Sequence, residues 1–258
     1  MYIGYDLELW KRYGVRQNIS MEIRSHPGLL LTGSSGSGKS YALKYLIHNL
    51  LISGQSDLTF CNFKKSEDFR FLHSMKSYYT YLDCAKGVDD FYNNFKKLQD
   101  KEDAFTGRYH ILIFDEFPAF ILSTAMQDKK LAERYKAMIS ELLMLGRSYG
   151  FGVWLVMQRP DNAFFANGAR DNFHTTISLG NLSKESKSML YSGEELPDTI
   201  YKVGEGICWI DGMGLRQIKY PKIQNLQKLE SMILNRLDQR PQGSCSRRDK
   251  INSLDYNA

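Results

Sequence analysis

Residues 28–40 read Gly-Leu-Leu-Leu-Thr-Gly-Ser-Ser-Gly-Ser-Gly-Lys-Ser, an apolar run that passes straight into a glycine-rich stretch and closes on a lysine and a serine. The run at 28–31 is short, apolar and bounded by turn formers, as a buried strand is. Residues 33–40 fit the spacing G-x-x-x-x-G-K-[ST]. Beyond them Ala42, Leu43, Leu46, Ile47, Leu50 and Leu51 recur at helical spacing, and Ser53-Gly54 ends the pattern. Strand, glycine loop and helix in that order predict a phosphate loop. Glycines let successive backbone N–H groups turn into one concavity that hydrogen-bonds phosphate oxygens. The helix N-terminus adds partial positive charge. Gly33, Ser34, Ser35, Gly36, Ser37, Gly38, Lys39, Ser40 and Tyr41 are therefore the expected nucleotide-binding residues. Lys39 is placed to reach the β- and γ-phosphates and the Ser40 hydroxyl to ligate Mg²⁺, so ATP and Mg²⁺ are the expected ligands.

Further strands are predicted at 58–63, 77–82, 110–114, 153–157 and 175–179, the first ending on Lys64-Lys65. Those at 110–114 and 153–157 hold apolar residues without alternation, which marks burial on both faces and hence a parallel sheet. Helices are predicted at 88–98, 131–145, 183–190 with Ser183 as its cap, and 223–237. Residues 206–218 read as a hairpin around Asp211-Gly212. Strands alternating with helices imply an α/β fold with a mostly parallel, right-handedly wound sheet, whose ligands bind beyond the carboxyl ends of the strands.

Two carboxylates follow the strand at 110–114. Asp115 is placed to hold Mg²⁺ opposite Ser40. Glu116 can polarise a water behind the γ-phosphate, which favours hydrolysis coupled to work over transfer to a small-molecule acceptor. Gln158, at the end of the next apolar strand, can orient that water or sense the γ-phosphate, because an amide both donates and accepts.

The 258 residues carry a net charge of +5, compatible with a polyanionic partner without demanding one. The 4 cysteines lack C-x-x-C spacing, which argues against a disulfide framework or a zinc site and fits a cytoplasmic location. No apolar run approaches the ~20 residues needed to span a bilayer.

The phosphate loop, the strand at 111–116 and, above all, the stretch Gly146-Arg147-Ser148-Tyr149-Gly150 followed by an apolar strand and Gln158-Arg159-Pro160 resemble the motor domain of FtsK/SpoIIIE DNA translocases, of the FtsK/HerA superfamily. Ala169-Arg170-Asp171-Asn172-Phe173 and the Gly-rich approach at 204–209 extend the resemblance, and Asn62-Phe63-Lys64 stands where the family has Asp-Pro-Lys. The resemblance implies a RecA-like P-loop ATPase that assembles as a homo-oligomer, a hexameric ring, and moves double-stranded DNA. It also implies an arginine that completes a neighbour's ATP site. Arg147 matches the family's Arg-x-x-Gly and is preferred over Arg170. The expected organisation is a short lead (1–27), a motor domain (28–223), and a C-terminal helix with a disordered basic tail (224–258). The lead is short for an accessory domain and the region after Pro221 short for a DNA-reading winged helix, so the expectation is a stripped motor serving a mobile element. Its membrane-bound transfer apparatus would be reached through partner proteins. A phage or plasmid DNA-packaging ATPase and a non-catalytic ATP-binding adaptor of a transfer apparatus are the alternatives. Lys129-Lys130 and residues 159–170 are candidate DNA contacts by position.

Overall fold

The computed structural model describes residues 1–54, 56–101, 105, 107–165 and 168–238. A sheet of 10 strands runs through it, in the order β2-β1-β10-β9-β8-β3-β7-β6-β4-β5. The parallel block comprises β8 (Thr175–Leu179), β3 (Leu29–Gly33), β7 (Phe151–Met157), β6 (Tyr109–Asp115), β4 (Ser56–Asn62) and β5 (Tyr78–Thr80). Beyond β8 the pairing becomes antiparallel through β9 (Glu205–Ile210), β10 (Gly214–Lys219), β1 (Tyr2–Asp6) and β2 (Asn18–Ser20). The mostly parallel sheet flanked by helices is the expected fold class.

Period-two alternation divides the strand side chains between two cores. Leu29 and Leu31, Ile111 and Ile113, and Trp154 and Val156 pack on one face; Leu30, Leu112 and Phe114, and Val153, Leu155 and Met157 pack on the other. This is why these strands read as unbroken apolar runs. The first face is covered by α2 (Lys39–Ser53) and α7 (Leu226–Asp238), the second by α3 (Cys84–Gln99), α4 (Phe117–Gln127) and α5 (Lys129–Leu145).

At both ends of the chain the structure adds detail to the sequence reading, and the helix expected at 223–237 is present as Leu226–Asp238. The first 27 residues contain β1, α1 (Leu7–Tyr13) and β2, and both strands lie in the one sheet. Helix α7 packs on α2. The expected tail at 239–258 lies outside the described residues. Helix α2 was expected to bury one stripe, yet Lys44, His48 and Asn49 on its polar side are buried too. Asn49 Nδ2 donates to the Tyr2 carbonyl at 3.0 Å and Lys44 Nζ to Glu230 Oε1 at 2.6 Å, so β1 and α7 close over that side. Ser183 caps α6 (Lys184–Leu190) as expected, accepting from the Ser186 N–H at 3.2 Å.

Register aligns the strand ends. Asn62 pairs level with Asp115, Asp115 with Val156, Thr32 with Met157 and Gly33 with Leu179. The phosphate loop, the two carboxylates and Gln158 therefore leave the sheet at one edge. The opposite edge gathers Gly28, Gly150 and His174, separated from the first by the length of the strands, about 20 Å at ~3.3 Å per residue.

Candidate nucleotide site

Loop geometry dictates the glycines here. Gly33 has φ +150°, and a Cβ on it would meet the Leu179 carbonyl oxygen at 2.5 Å. Gly38, with φ +98°, precedes α2, and a Cβ there would lie 3.2 Å from the Gly204 nitrogen, whose N–H donates to the Ser37 carbonyl at 3.0 Å. The loop is thus clamped between β8 and the 199–204 segment. Lys39 Nζ donates to the carbonyls of Gly33 at 2.6 Å and Ser34 at 2.9 Å, so the ammonium sits in the mouth of its own loop. Burial pulls its pKa down, Glu116 and Asp115 push it up, and Lys64 lowers it.

A cavity of about 340 Å³ opens in front of the loop. Ser35, Gly36, Gly38, Lys39, Ser40 and Tyr41 line it from the loop side, and Asp115, Glu116 and Gln158 from the strand ends. Every residue expected to act in catalysis or metal binding, except Arg147, reaches this one space. Arg147 lies in the turn before β7, at the opposite edge of the sheet.

Glu116 takes φ +67°, a left-handed conformation that a non-glycine residue adopts at a cost. Its N–H donates to the Val156 carbonyl at 2.9 Å, and its own carbonyl accepts from Ala119 N at 3.1 Å as α4 begins. The strained turn reverses the chain directly after β6 and holds the Glu116 carboxylate at the cavity. Gln158 Nε2 donates to Glu116 Oε2 at 3.4 Å. Beside it, Asp115 is pushed up to about 7, first by burial and then by the Glu116 charge.

These features fit a magnesium nucleotide. A buried carboxyl held near neutrality beside a second acid is a site short of positive charge, which a divalent cation between Asp115 and Ser40 would supply. Tyr41 lines the same cavity, and its hydroxyl is buried without a hydrogen-bond partner among the described residues. Among those residues no group of three His, Cys, Asp or Glu is placed to hold a metal ion by itself.

Sequence reasoning did not place Lys44, Ser66, Asp68 and Leu226 on this cavity, and it left Lys64 as a strand end. The signal for Lys64 was available, since β4 ends at the ligand-binding edge. Asn62 is fully buried there and fixes the turn that carries Lys64: Nδ2 donates to the Ser66 carbonyl at 3.0 Å and to the Tyr78 hydroxyl at 2.9 Å, while Oδ1 accepts from Ser66 N at 3.0 Å.

Sheet order, loop and carboxylate pair define the class: an α/β fold of the P-loop ATPase kind. A curated relative, the Ftsk domain-containing protein YdcQ of Bacillus subtilis (strain 168), is 28% identical over 194 residues, 69% of this chain. The chain spans 39% of that relative's length. Among solved structures, EssC (ATPases 2 and 3) from Geobacillus thermodenitrificans superposes with TM-score 0.67 at 14% identity, over 92% of this chain and 48% of the other. The pCW3 conjugation coupling protein TcpA, solved with ATPγS, superposes with TM-score 0.65 at 21% identity, over 91% of this chain and 73% of the other. No protein-family model matches the chain. The resemblance to FtsK-type motors drawn from the motifs is borne out by the sequence relative, and the fold by the structures. Among the described residues no helix is long and apolar enough to cross a membrane.

Proposed function

We propose that this chain is an ATP-hydrolysing motor that moves double-stranded DNA as a ring of identical copies, in the transfer of a mobile element. The observation that carries the reading is the strained Glu116 turn, which aims a carboxylate, bonded to Gln158, into the cavity of a complete phosphate loop. A passive ATP-binding adaptor has no use for that geometry.

The chemistry follows from the chain's own groups. Lys39 exchanges the Gly33 and Ser34 carbonyls for the β- and γ-phosphates. Glu116 takes a proton from water as the water oxygen bonds to the γ-phosphorus and the bond to the β-phosphate oxygen breaks, leaving ADP and phosphate. Gln158 holds Glu116 and can orient the water. Ser40 and Asp115 would hold Mg²⁺, which supplies positive charge to the phosphates. Arg147 is too far across the sheet to touch its own chain's nucleotide, so a role at an ATP site is one in trans, at a neighbouring copy.

DNA as cargo and transfer as process rest on the FtsK-domain relative and on the conjugation coupling protein, which shares the fold. Contact with a membrane apparatus would then pass through partner proteins. The test is ATP turnover with and without duplex DNA, beside unfolded polypeptide as a competing polymer. Stimulation by duplex alone supports the reading; stimulation by polypeptide alone, or by neither, overturns the cargo.

A further inference from the structure

Four strand ends in a row carry polar groups at the nucleotide edge. In the sheet β3, β7, β6 and β4 lie side by side. At or past their ends come the phosphate loop with Lys39, then Gln158, then Asp115 and Glu116, and then Lys64, two residues beyond β4. Asn62 pairs level with Asp115, so the chain leaves β4 beside the two acids. Neighbouring strands lie about 4.8 Å apart, within the reach of a lysine side chain.

Lys64 lines two cavities. One is the nucleotide cavity, and the other, of about 650 Å³, adjoins it through the shared walls Lys64, Glu116 and Gln158. Burial and Glu116 raise the Asp115 pKa, and of the two cations that oppose them Lys64 acts more strongly than Lys39. Three lysines line the nucleotide cavity: Lys39 belongs to the loop, Lys44 is bonded to Glu230, and Lys64 makes no ion pair among the described residues. The acids that share its walls are engaged. Asp68 Oδ2 accepts from Ser66 Oγ at 3.2 Å, and Glu116 Oε2 from Gln158 Nε2 at 3.4 Å.

The turn that carries Lys64 is strained. Among the described residues three non-glycine residues take a left-handed φ, Lys65 at +54°, Tyr81 at +48° and Glu116 at +67°, and all three line the larger cavity. The Lys65 N–H donates to the Asn62 carbonyl at 3.3 Å and closes the turn. Its ammonium lies over the Tyr81 ring, 5.0 Å from the centroid. Of two adjacent lysines, one is committed to an aromatic ring and the other is left to the nucleotide cavity.

We infer that Lys64 is a catalytic cation of its own chain's nucleotide site, whose ammonium meets the γ-phosphate from the β4 side as ATP is hydrolysed. The inference rests on the hydrolysis reading above. As the water oxygen bonds to the γ-phosphorus and the bond to the β-phosphate oxygen breaks, negative charge redistributes over the phosphate oxygens. Lys39 faces that charge from the loop. Lys64 faces it from the side of Glu116 and Gln158, where the water enters. A cation fixed there by a strained turn favours the transition state over the bound ground state. The chain thus carries a cation of its own on this side, whatever a neighbouring copy adds.

The experiment measures kcat and KM for ATP in Lys64→Met, Lys64→Arg and Lys65→Met, with affinity for ATPγS by titration. Lys64 is exposed, so the fold is not at stake, and melting temperatures check it. Lys64→Met is expected to lose about 100-fold in kcat, with KM and ATPγS affinity within about two-fold of wild type. Lys64→Arg should recover much of the loss, and Lys65→Met should lose none. A further readout mixes Lys64→Met with Lys39→Ala chains. If both cations serve their own chain's nucleotide, every chain lacks one and the mixture stays dead. Wild-type kcat in Lys64→Met, a KM that rises alone, an equal loss in Lys65→Met, or recovery in the mixture overturns the proposal and leaves the hydrolysis reading standing. A wild-type chain that turns over no ATP overturns that reading and the proposal with it.

Discussion

Glu116 and Gln158, on the ends of β6 and β7, are joined by a hydrogen bond of 3.4 Å from Nε2 to Oε2 in front of the phosphate loop. The bond is long, so it positions the carboxylate without withdrawing it from a water. Glu116→Gln keeps the shape and removes the base. ATP turnover is expected to fall by ~100-fold or more while affinity for an ATP analogue stays near wild type. Wild-type turnover in this variant would leave Glu116 a strained strand end without a catalytic role.

Lys39 Nζ donates to two loop carbonyls, those of Gly33 and Ser34. Lys39→Ala removes the cation that replaces them as phosphate ligand. Calorimetric titration is expected to show binding of an ATP analogue abolished. Unchanged affinity would remove Lys39 from the nucleotide site.

Acid should destabilise the protein through three histidines. Burial is the largest influence on His48, His110 and His174 and holds each below its ordinary pKa of 6.5. Asn49 opposes this at His48, with Arg236 adding to it; Asp57 opposes it at His110, with Arg108 adding to it; at His174, Arg147 and His26 add to it and Asp211 opposes it. Below pH 6.5 the unfolded chain takes up protons that the folded chain refuses, so this stability is complete above 6.5 and lost as pH falls towards the folded values. Urea unfolding at pH 7.5 and pH 5.5 is expected to show a lower midpoint in acid. The buried His48 Nε2 has no partner among the described residues, so His48→Gln should reduce the difference.

What the sequence made legible follows from periodicity. Continuous apolar runs at 111–114 and 153–157 announced strands buried on both faces, and the cores on either side of Ile113 and Phe114 show why. The phosphate loop, Asp115, Glu116 and Gln158 were placed on one edge because a parallel sheet puts strand ends there. Less legible was β1, where Tyr2–Asp6 holds Ile3 and two tyrosines beside Gly4 and Asp6 and gains its identity by pairing with β2 and β10. Helix α4 was missed because it starts within one residue of β6, through a left-handed Glu116 that no propensity foretells. Lys44 looked like a solvated helix residue, and only the tertiary arrival of α7 buries it.

That arrival yields the sharpest stability prediction. Lys44 is 4% exposed in its side chain and Glu230 22%, with 2.6 Å between Nζ and Oε1. The same ammonium lies 5.8 Å from the Phe69 ring centre and 5.5 Å from that of Phe71, and Lys44 borders the nucleotide cavity. One cation thus ties α2, the turn at 67–74 and α7 together. Glu230→Ala strands the ammonium in a buried setting and should cost about 3 kcal/mol, whereas the double variant Lys44→Met/Glu230→Leu removes both charges, fills the space with apolar atoms and should recover most of it. Denaturant unfolding of the two variants separates this from simple loss of packing. If the double variant is as unstable as Glu230→Ala, the loss comes from α7 packing rather than from an uncompensated charge.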